Sequence, residues 1–111
     1  MSHFISLRDA VEMNSRFRTN KEMILAVAYR NQNILSICES FDRTEFDEVL
    51  SQGDCKKLRV YFGMDANYKV RVVIVGVNSN DEDILTSGDE KIIEEGIPCP
   101  PSCPPPSPIN S

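Results

Sequence analysis

The fold of this chain is decided by residues 56–78, which read KKLRVYFGMDANYKVRVVIVGVN. In the first half, Leu58, Val60 and Phe62 alternate with charged or aromatic neighbours, as in a strand with one face toward a core. Residues 65–67 (Asp-Ala-Asn) are turn formers, and the chain then returns as a second β-rich run. The pattern predicts an antiparallel β-hairpin.

The second strand of this hairpin is apolar on both faces between residues 72 and 75, VVIV. A strand of this kind is typical of the middle of a sheet, so it needs a neighbour on its other edge. Either the short β-capable run 34–38 or a segment near Ile92 and Ile93 can supply it. Gly76 marks a bulge or a close approach of another part of the backbone. A two-faced apolar strand in so small a sheet is also compatible with a dimer.

The first predicted helix begins after Ser6, which can cap it, with Asp9 three residues later. The Thr19-Asn20 pair either interrupts this helix or starts a new one. Residues 21–29 are apolar without a clear period, and they are predicted to continue as a helix.

A further helix is predicted after Asp42, an N-cap residue, with Phe41 and Phe46 as a hydrophobic staple and Gly53 at its end. The order of elements predicts a small single α+β domain over residues 1–96. In this domain two or three helices pack on a short, mainly antiparallel sheet.

All seven prolines lie in the last residues, 98–111, which read PCPPSCPPPSPINS. Proline fixes φ and removes a backbone donor, so residues 97–111 are predicted to form an extended Pro-rich C-terminal tail. Such a segment loses little entropy on docking into an aromatic groove. The leading hypothesis is therefore a non-enzymatic protein-interaction module, with this arm as the docking element or tag for a protein partner; a plain spacer is the alternative. The predicted partner-binding residues are Cys99, Pro100, Pro101, Cys103, Pro104, Pro105 and Pro106.

The alternative function is that of a thiol or metal-binding protein that uses the tail cysteines. Cys99 and Cys103 are one residue further apart than in C-x-x-C sites. They are candidate metal ligands, but a structural zinc site needs four, and Cys38 and Cys55 complete that set only if the fold brings them to the tail. A redox pair and two reduced thiols are the other interpretations. No cofactor is predicted.

Charge and motifs argue against other classes of function. Seventeen acidic residues outnumber twelve basic ones, and the acids concentrate in residues 79–95, so binding to nucleic acid or to an anionic membrane is not expected. A basic and aromatic face on the hairpin is the contrary hypothesis; it comprises Lys57, Arg59, Tyr61, Lys69 and Arg71. The single histidine, His3, and the lack of nucleotide or hydrolase motifs make an enzyme the less expected class.

The N-terminus has no secretory apolar region, and the longest apolar runs are far short of the ~20 residues of a membrane-spanning helix. These features predict a cytoplasmic protein. Persistent structural disulfides are not expected in that compartment.

Several segments, in the same order along nearly the whole chain, resemble a family of short uncharacterised bacterial proteins. These segments are ISL at 5–7, ESFDR at 39–43 with FD at 46–47, RVYFGMD at 59–65, VIVGVN at 73–78, DIL at 83–85 and the Cys-Pro-Pro ending. The resemblance implies a native tail and a bacterial cytosolic source. It brings no activity and no functional residue.

Overall fold

The computed structural model describes residues 3–85 and 90–110. In chain order its regular elements are α1 (Leu7–Asn20), a 3-10 turn (Val27–Tyr29), β1 (Cys38–Ser40), α2 (Arg43–Leu50), β2 (Lys57–Met64), β3 (Val70–Val77) and β4 (Ile97–Cys99). The predicted small α+β class with mainly antiparallel strands is confirmed. No helix within the described ranges combines the length and apolar character needed to cross a bilayer.

The described residues form two compact units. Residues 39–97 make up one, which we call the central unit, and residues 3–38 together with 98–110 make up the other, the terminal unit. The β-hairpin belongs to the central unit, whereas α1 and the proline-rich residues belong to the terminal unit.

The predicted hairpin is confirmed. Strands β2 and β3 pair antiparallel from Lys57 opposite Val77 to Met64 opposite Val70. The turn between them is held by Asp65, whose Oδ1 accepts hydrogen bonds from the backbone N–H groups of Asn67 at 2.8 Å and of residue 69 at 3.0 Å. An Asp side chain that bonds its own downstream backbone is the usual reason for Asp at such a turn.

The second edge of β3 is occupied by Ile93, one of the two predicted neighbours. Ile74 and Ile93 exchange both backbone hydrogen bonds, each 2.8 Å long. The other prediction, a strand at residues 34–38, is wrong: β1 covers Cys38–Ser40 and pairs with β4 in a separate two-stranded sheet. The observed strand reads Cys-Glu-Ser, which has no run of strand-forming residues, so the sequence could not place it.

Helix α2 closes the core of the central unit. Asp42 takes the N-cap position without a side-chain cap bond, and the rings of Phe41 and Phe46 meet edge to face at 5.8 Å. The helix ends at Leu50, before the predicted Gly53. Val49 is buried against Ile74 and Ile93. Gly76 is closely approached by side chains and not by the predicted backbone, because a methyl group there would lie 2.9 Å from Sγ of Cys55, 3.0 Å from Oε1 of Gln52 and 3.2 Å from Cγ1 of Val49.

Helix α1 begins as predicted, since Ser6 Oγ accepts a hydrogen bond from the Asp9 N–H at 3.0 Å. The predicted helix over residues 21–29 is wrong apart from the 3-10 turn. The carbonyl of Leu25, which would accept the Tyr29 N–H in an α-helix, instead accepts Nε of Arg30 at 3.0 Å. The Tyr29 N–H donates to the nearer Ala26 carbonyl.

Candidate functional site: a cysteine- and proline-lined cavity

The candidate site lies in the terminal unit, where the C-terminal residues run beside residues 37 and 38. The backbone N–H of Ile37 donates to the carbonyl of Cys99 at 2.7 Å. Cys99 is buried, with 3% of its surface exposed. The proline-rich segment is therefore anchored at its first cysteine.

A disulfide joins Cys99 to Cys103, and their Cα atoms lie 4.5 Å apart. The Ser102 N–H donates to the Pro98 carbonyl at 3.0 Å, which closes the turn that brings the two cysteines together. Persistent structural disulfides were not expected, whereas the structure bonds this pair. That expectation came from the compartment, which says nothing about a local turn able to bring two sulfurs within bonding distance.

An open cavity of about 400 Å³ lies against this disulfide. Its lining brings together both disulfide cysteines, a third cysteine, two prolines and three other residues. These residues are Arg18, Ile37, Cys38, Cys99, Cys103, Pro104, Pro106 and Asn110. Cys38 is a free cysteine and is half-buried.

The predicted partner-binding residues differ in exposure. Pro101 and residues 103–106 are exposed, Pro100 is half-buried, and Cys99 is buried. Beyond them the chain turns again, because Oδ1 of Asn110 accepts the Ser107 N–H at 2.8 Å and Nδ2 of Asn110 donates to the Pro105 carbonyl at 3.2 Å. The row of exposed prolines thus lies between two turns, each held by a hydrogen bond.

The two candidate metal ligands of the tail, Cys99 and Cys103, are bonded to each other, and a disulfide sulfur is not the thiolate that a metal ion needs. Among residues 3–85 and 90–110, no group of three or more His, Cys, Asp or Glu side chains is placed to hold a metal ion. Cys38 lines the cavity. Cys55 belongs to the central unit, where its Sγ donates to the Lys57 carbonyl at 3.6 Å.

Sequence reasoning did not identify Arg18, Ile37 or Asn110 as part of this site. Arg18 lies in the last turn of α1, where its Nε donates to Oδ1 of Asn14 at 2.8 Å. That i, i+4 spacing is common on any helix surface. Asn110 carried a usable signal, since an asparagine that follows prolines often closes a turn with its side chain.

The hairpin register places Lys57, Arg59, Tyr61 and Arg71 on one face, as the nucleic-acid hypothesis required. Carboxylates compensate these cations. Lys57 and Arg59 contact Asp81 at 2.6 and 2.8 Å, Arg59 contacts Asp83 at 2.6 Å, and Arg71 contacts Glu39 at 2.7 Å. Paired in this way, the basic groups generate little of the positive potential that holds a phosphate backbone.

Tyr61 and Asp83 share a short hydrogen bond on the same face. The Tyr61 hydroxyl, followed by the Arg59 guanidinium, lowers the pKa of Asp83. The same hydrogen bond raises the pKa of Tyr61, so the phenol stays neutral as a donor. Through these contacts the residues that follow β3 bind to β2, so we interpret the cluster as structural.

The central unit has an acidic concavity of about 220 Å³ beside α2. Glu45, Glu48, Glu90 and Glu94 line it, with Lys91 as the compensating charge. Solvated glutamates on a helix and a neighbouring segment without regular structure are expected on a protein surface of net negative charge. This concavity therefore ranks below the cysteine cavity as a functional site.

Compared with protein-family models, with curated proteins and with solved structures, the chain gives no significant match.

Proposed function

We propose that this chain is a non-enzymatic protein-interaction module, and that residues 97–110 are its docking element for a protein partner. The observation that carries the proposal is the exposure of Pro101 and of residues 103–106, next to a buried anchor at Cys99. One end of the segment is fixed, and its prolines face solvent beside an open cavity.

The chemistry of the segment indicates what kind of partner it fits. Consecutive prolines present flat apolar rings and carbonyl acceptors and have no N–H groups to satisfy, which suits grooves lined by aromatic side chains. The disulfide and the Asn110 contacts limit the conformations of the free segment. A constrained ligand has less conformational entropy to lose on binding, so more of the contact energy remains as affinity.

The remaining features of the proposal follow the sequence. The proposal includes a bacterial, cytoplasmic location and excludes catalysis and nucleic-acid binding. The acidic net charge and the paired cations of the hairpin support it. The two apolar faces of β3 are compatible with a dimer, and no oligomeric state is part of the proposal.

The docking proposal is tested with the full-length chain, because residues 98–110 are part of a packed unit. We compare the proteins that immobilised wild type recovers from lysate with those recovered by a triple variant, Pro104→Ala with Pro105→Ala and Pro106→Ala. The control is Ser15→Ala with Thr19→Ala, two exposed positions of α1 in the same unit.

We expect the triple variant to recover at least about tenfold less of one specific partner, equivalent to about 1.4 kcal/mol of binding free energy. The α1 control should recover that partner as wild type does. Equal recovery by all three proteins would contradict the docking role.

A second candidate function is thiol chemistry, and one observation favours it: a disulfide and a free cysteine, Cys38, line the same cavity. Disulfides of cytoplasmic proteins are usually transient and redox-active. Alkylation of the denatured but unreduced protein tests this function directly. Two alkylated cysteines, rising to four after reduction, support it, and four alkylated at once would eliminate it.

A further inference from the structure

We propose that Cys38, Cys99 and Cys103 form a thiol–disulfide exchange site, in which Cys38 displaces Cys103 from Cys99 and so releases Cys103 to bond a disulfide-bearing ligand. The inference rests on the second proposed function, because it assigns roles to the three cysteines of that same cavity. It goes beyond it in naming the attacking thiol, the leaving thiol and the ligand class.

Cys38 lies on a strand that pairs with the strand of Cys99. It is the first residue of β1, and Cys99 is the last residue of β4, the strand that pairs with β1. The residue before it, Ile37, is hydrogen-bonded to the Cys99 carbonyl at 2.7 Å. In an antiparallel pair the first residue of one strand and the last residue of the other lie at the same end, and directly opposite residues have Cα atoms about 4.5–5.5 Å apart, which is within the range that a disulfide spans.

The two bonded cysteines differ in exposure to solvent. Cys99 is 3% exposed, whereas Cys103 lies at the surface beside the exposed prolines. In thiol–disulfide exchange the sulfur that leaves departs as a thiolate, and water stabilises that charge. Attack by Cys38 on Cys99 is therefore favoured, since it sends the charge to the solvated sulfur of Cys103.

The exchange balances without an external oxidant. The Cys38 thiolate attacks Sγ of Cys99, the Cys38–Cys99 bond forms as the Cys99–Cys103 bond breaks, and the electron pair of the broken bond leaves on Sγ of Cys103. The Cys38 proton passes to solvent, and the number of disulfides stays the same. The Cys103 thiolate then attacks a ligand R–S–S–R, which forms Cys103–S–S–R and releases R–S⁻.

Trypsin separates the cysteines of this chain for the test. Cleavage after Arg30, Arg43, Lys56 and Lys91 leaves Cys38 in peptide 31–43, Cys55 in peptide 44–56, and the two tail cysteines in peptide 92–111. Each arrangement of disulfides therefore has its own peptide masses.

Full-length protein is incubated at about pH 8.5, near the ordinary thiol pKa, with oxidised glutathione as the disulfide probe. It is then quenched with acid, alkylated and digested. We expect peptide 31–43 to be linked to peptide 92–111, with glutathione on the latter. Cys38→Ser should lower glutathione on peptide 92–111 at least about tenfold, whereas Cys55→Ser, which removes the free cysteine of the central unit, should leave it unchanged.

Three results would overturn the inference. They are glutathione on peptide 31–43 with the tail disulfide intact, equal labelling of peptide 92–111 in Cys38→Ser, and a tail disulfide that never transfers in wild type. The starting alkylation count separates this failure from that of the second function. Four free thiols before incubation remove both, whereas an intact tail disulfide that does not transfer removes the exchange role alone.

Discussion

Replacing Gly96 with alanine tests how tightly the central unit packs around Phe41. A methyl group on Gly96 would lie 2.5, 2.6 and 3.1 Å from three carbons of the Phe41 ring. Carbon atoms in contact settle at about 3.5–4.0 Å, so the ring or the strand must move by about 1 Å. The ring packs edge to face on Phe46 at 5.8 Å, so moving it weakens that contact too.

The two effects set the expected size of the change. Overpacking a well-packed site costs about 1–3 kcal/mol, and a lost aromatic pair adds about 0.5–1.5 kcal/mol. We therefore expect Gly96→Ala to lower the free energy of unfolding by about 2–4 kcal/mol. Urea unfolding followed by far-ultraviolet circular dichroism measures this difference as a shift of the midpoint at unchanged slope.

Gly53→Ala is the matched control, because a methyl group at Gly53 meets no atom within 4 Å. It should leave stability unchanged or raise it by up to about 1 kcal/mol. Combining Gly96→Ala with Phe41→Leu should cost less than the sum of the two single changes, by about 1 kcal/mol. If Gly96→Ala unfolds at the same urea concentration as Gly53→Ala, the packing argument is refuted.

Three further predictions concern single contacts. The Tyr61 hydrogen bond that lowers the pKa of Asp83 gives stability that is present above the unfolded-state pKa of about 3.9 and is lost as pH falls through the folded value. Asp83→Asn should therefore be less stable than wild type at neutral pH, by a difference that shrinks in acid; a difference independent of pH would argue against this linkage. Arg71→Ala leaves the half-buried Glu39 carboxylate without its ion-pair partner. The free energy of unfolding, measured in urea, should fall by about 1–3 kcal/mol. A loss of under about 0.5 kcal/mol would mean that water solvates Glu39 as well as Arg71 does. Ser6→Ala removes the cap of α1 and should lower helical circular dichroism and stability by about 1 kcal/mol, with Ser6→Asp restoring both.

The hairpin was predictable because its signal is local and redundant. Alternation in β2, the turn residues and the apolar run of β3 all indicate an antiparallel hairpin, which the observed pairing of residues 57–64 with 70–77 confirms. The predicted core face of β2 is not confirmed along its length, since Val60 and Phe62 are exposed. The two apolar faces of β3 also predicted a neighbour on its other edge, and the sequence offered two candidates for it, the run 34–38 and a segment near Ile93. The sequence could not decide between them, because a neighbour that pairs through the single residue Ile93 has no strand pattern in its sequence.

The candidate site was predictable only in part, since it depends on a long-range contact. The proline and cysteine content marked residues 97–111, and the structure places residues 98–110 in one unit with residues 3–38. Cys38 was named as a possible companion to the tail cysteines, but 60 residues of sequence between Cys38 and Cys99 carry no distance information. The helix predicted over 21–29 is reduced to a 3-10 turn at Val27–Tyr29, where the Leu25 carbonyl accepts the Arg30 side chain in place of the Tyr29 N–H.

The division of the terminal unit between two distant parts of the chain has a consequence for its synthesis. Residues 3–38 leave the ribosome first, and residues 98–110 follow only after the whole central unit. At about 5–20 residues per second, the intervening roughly 60 residues take about 3–12 s. Of the four cysteines in residues 1–111, only Cys38 and Cys55 precede the tail, so a disulfide formed between them in that interval is a pair that the structure does not contain. The tail disulfide can form only once the last part of the terminal unit has been made.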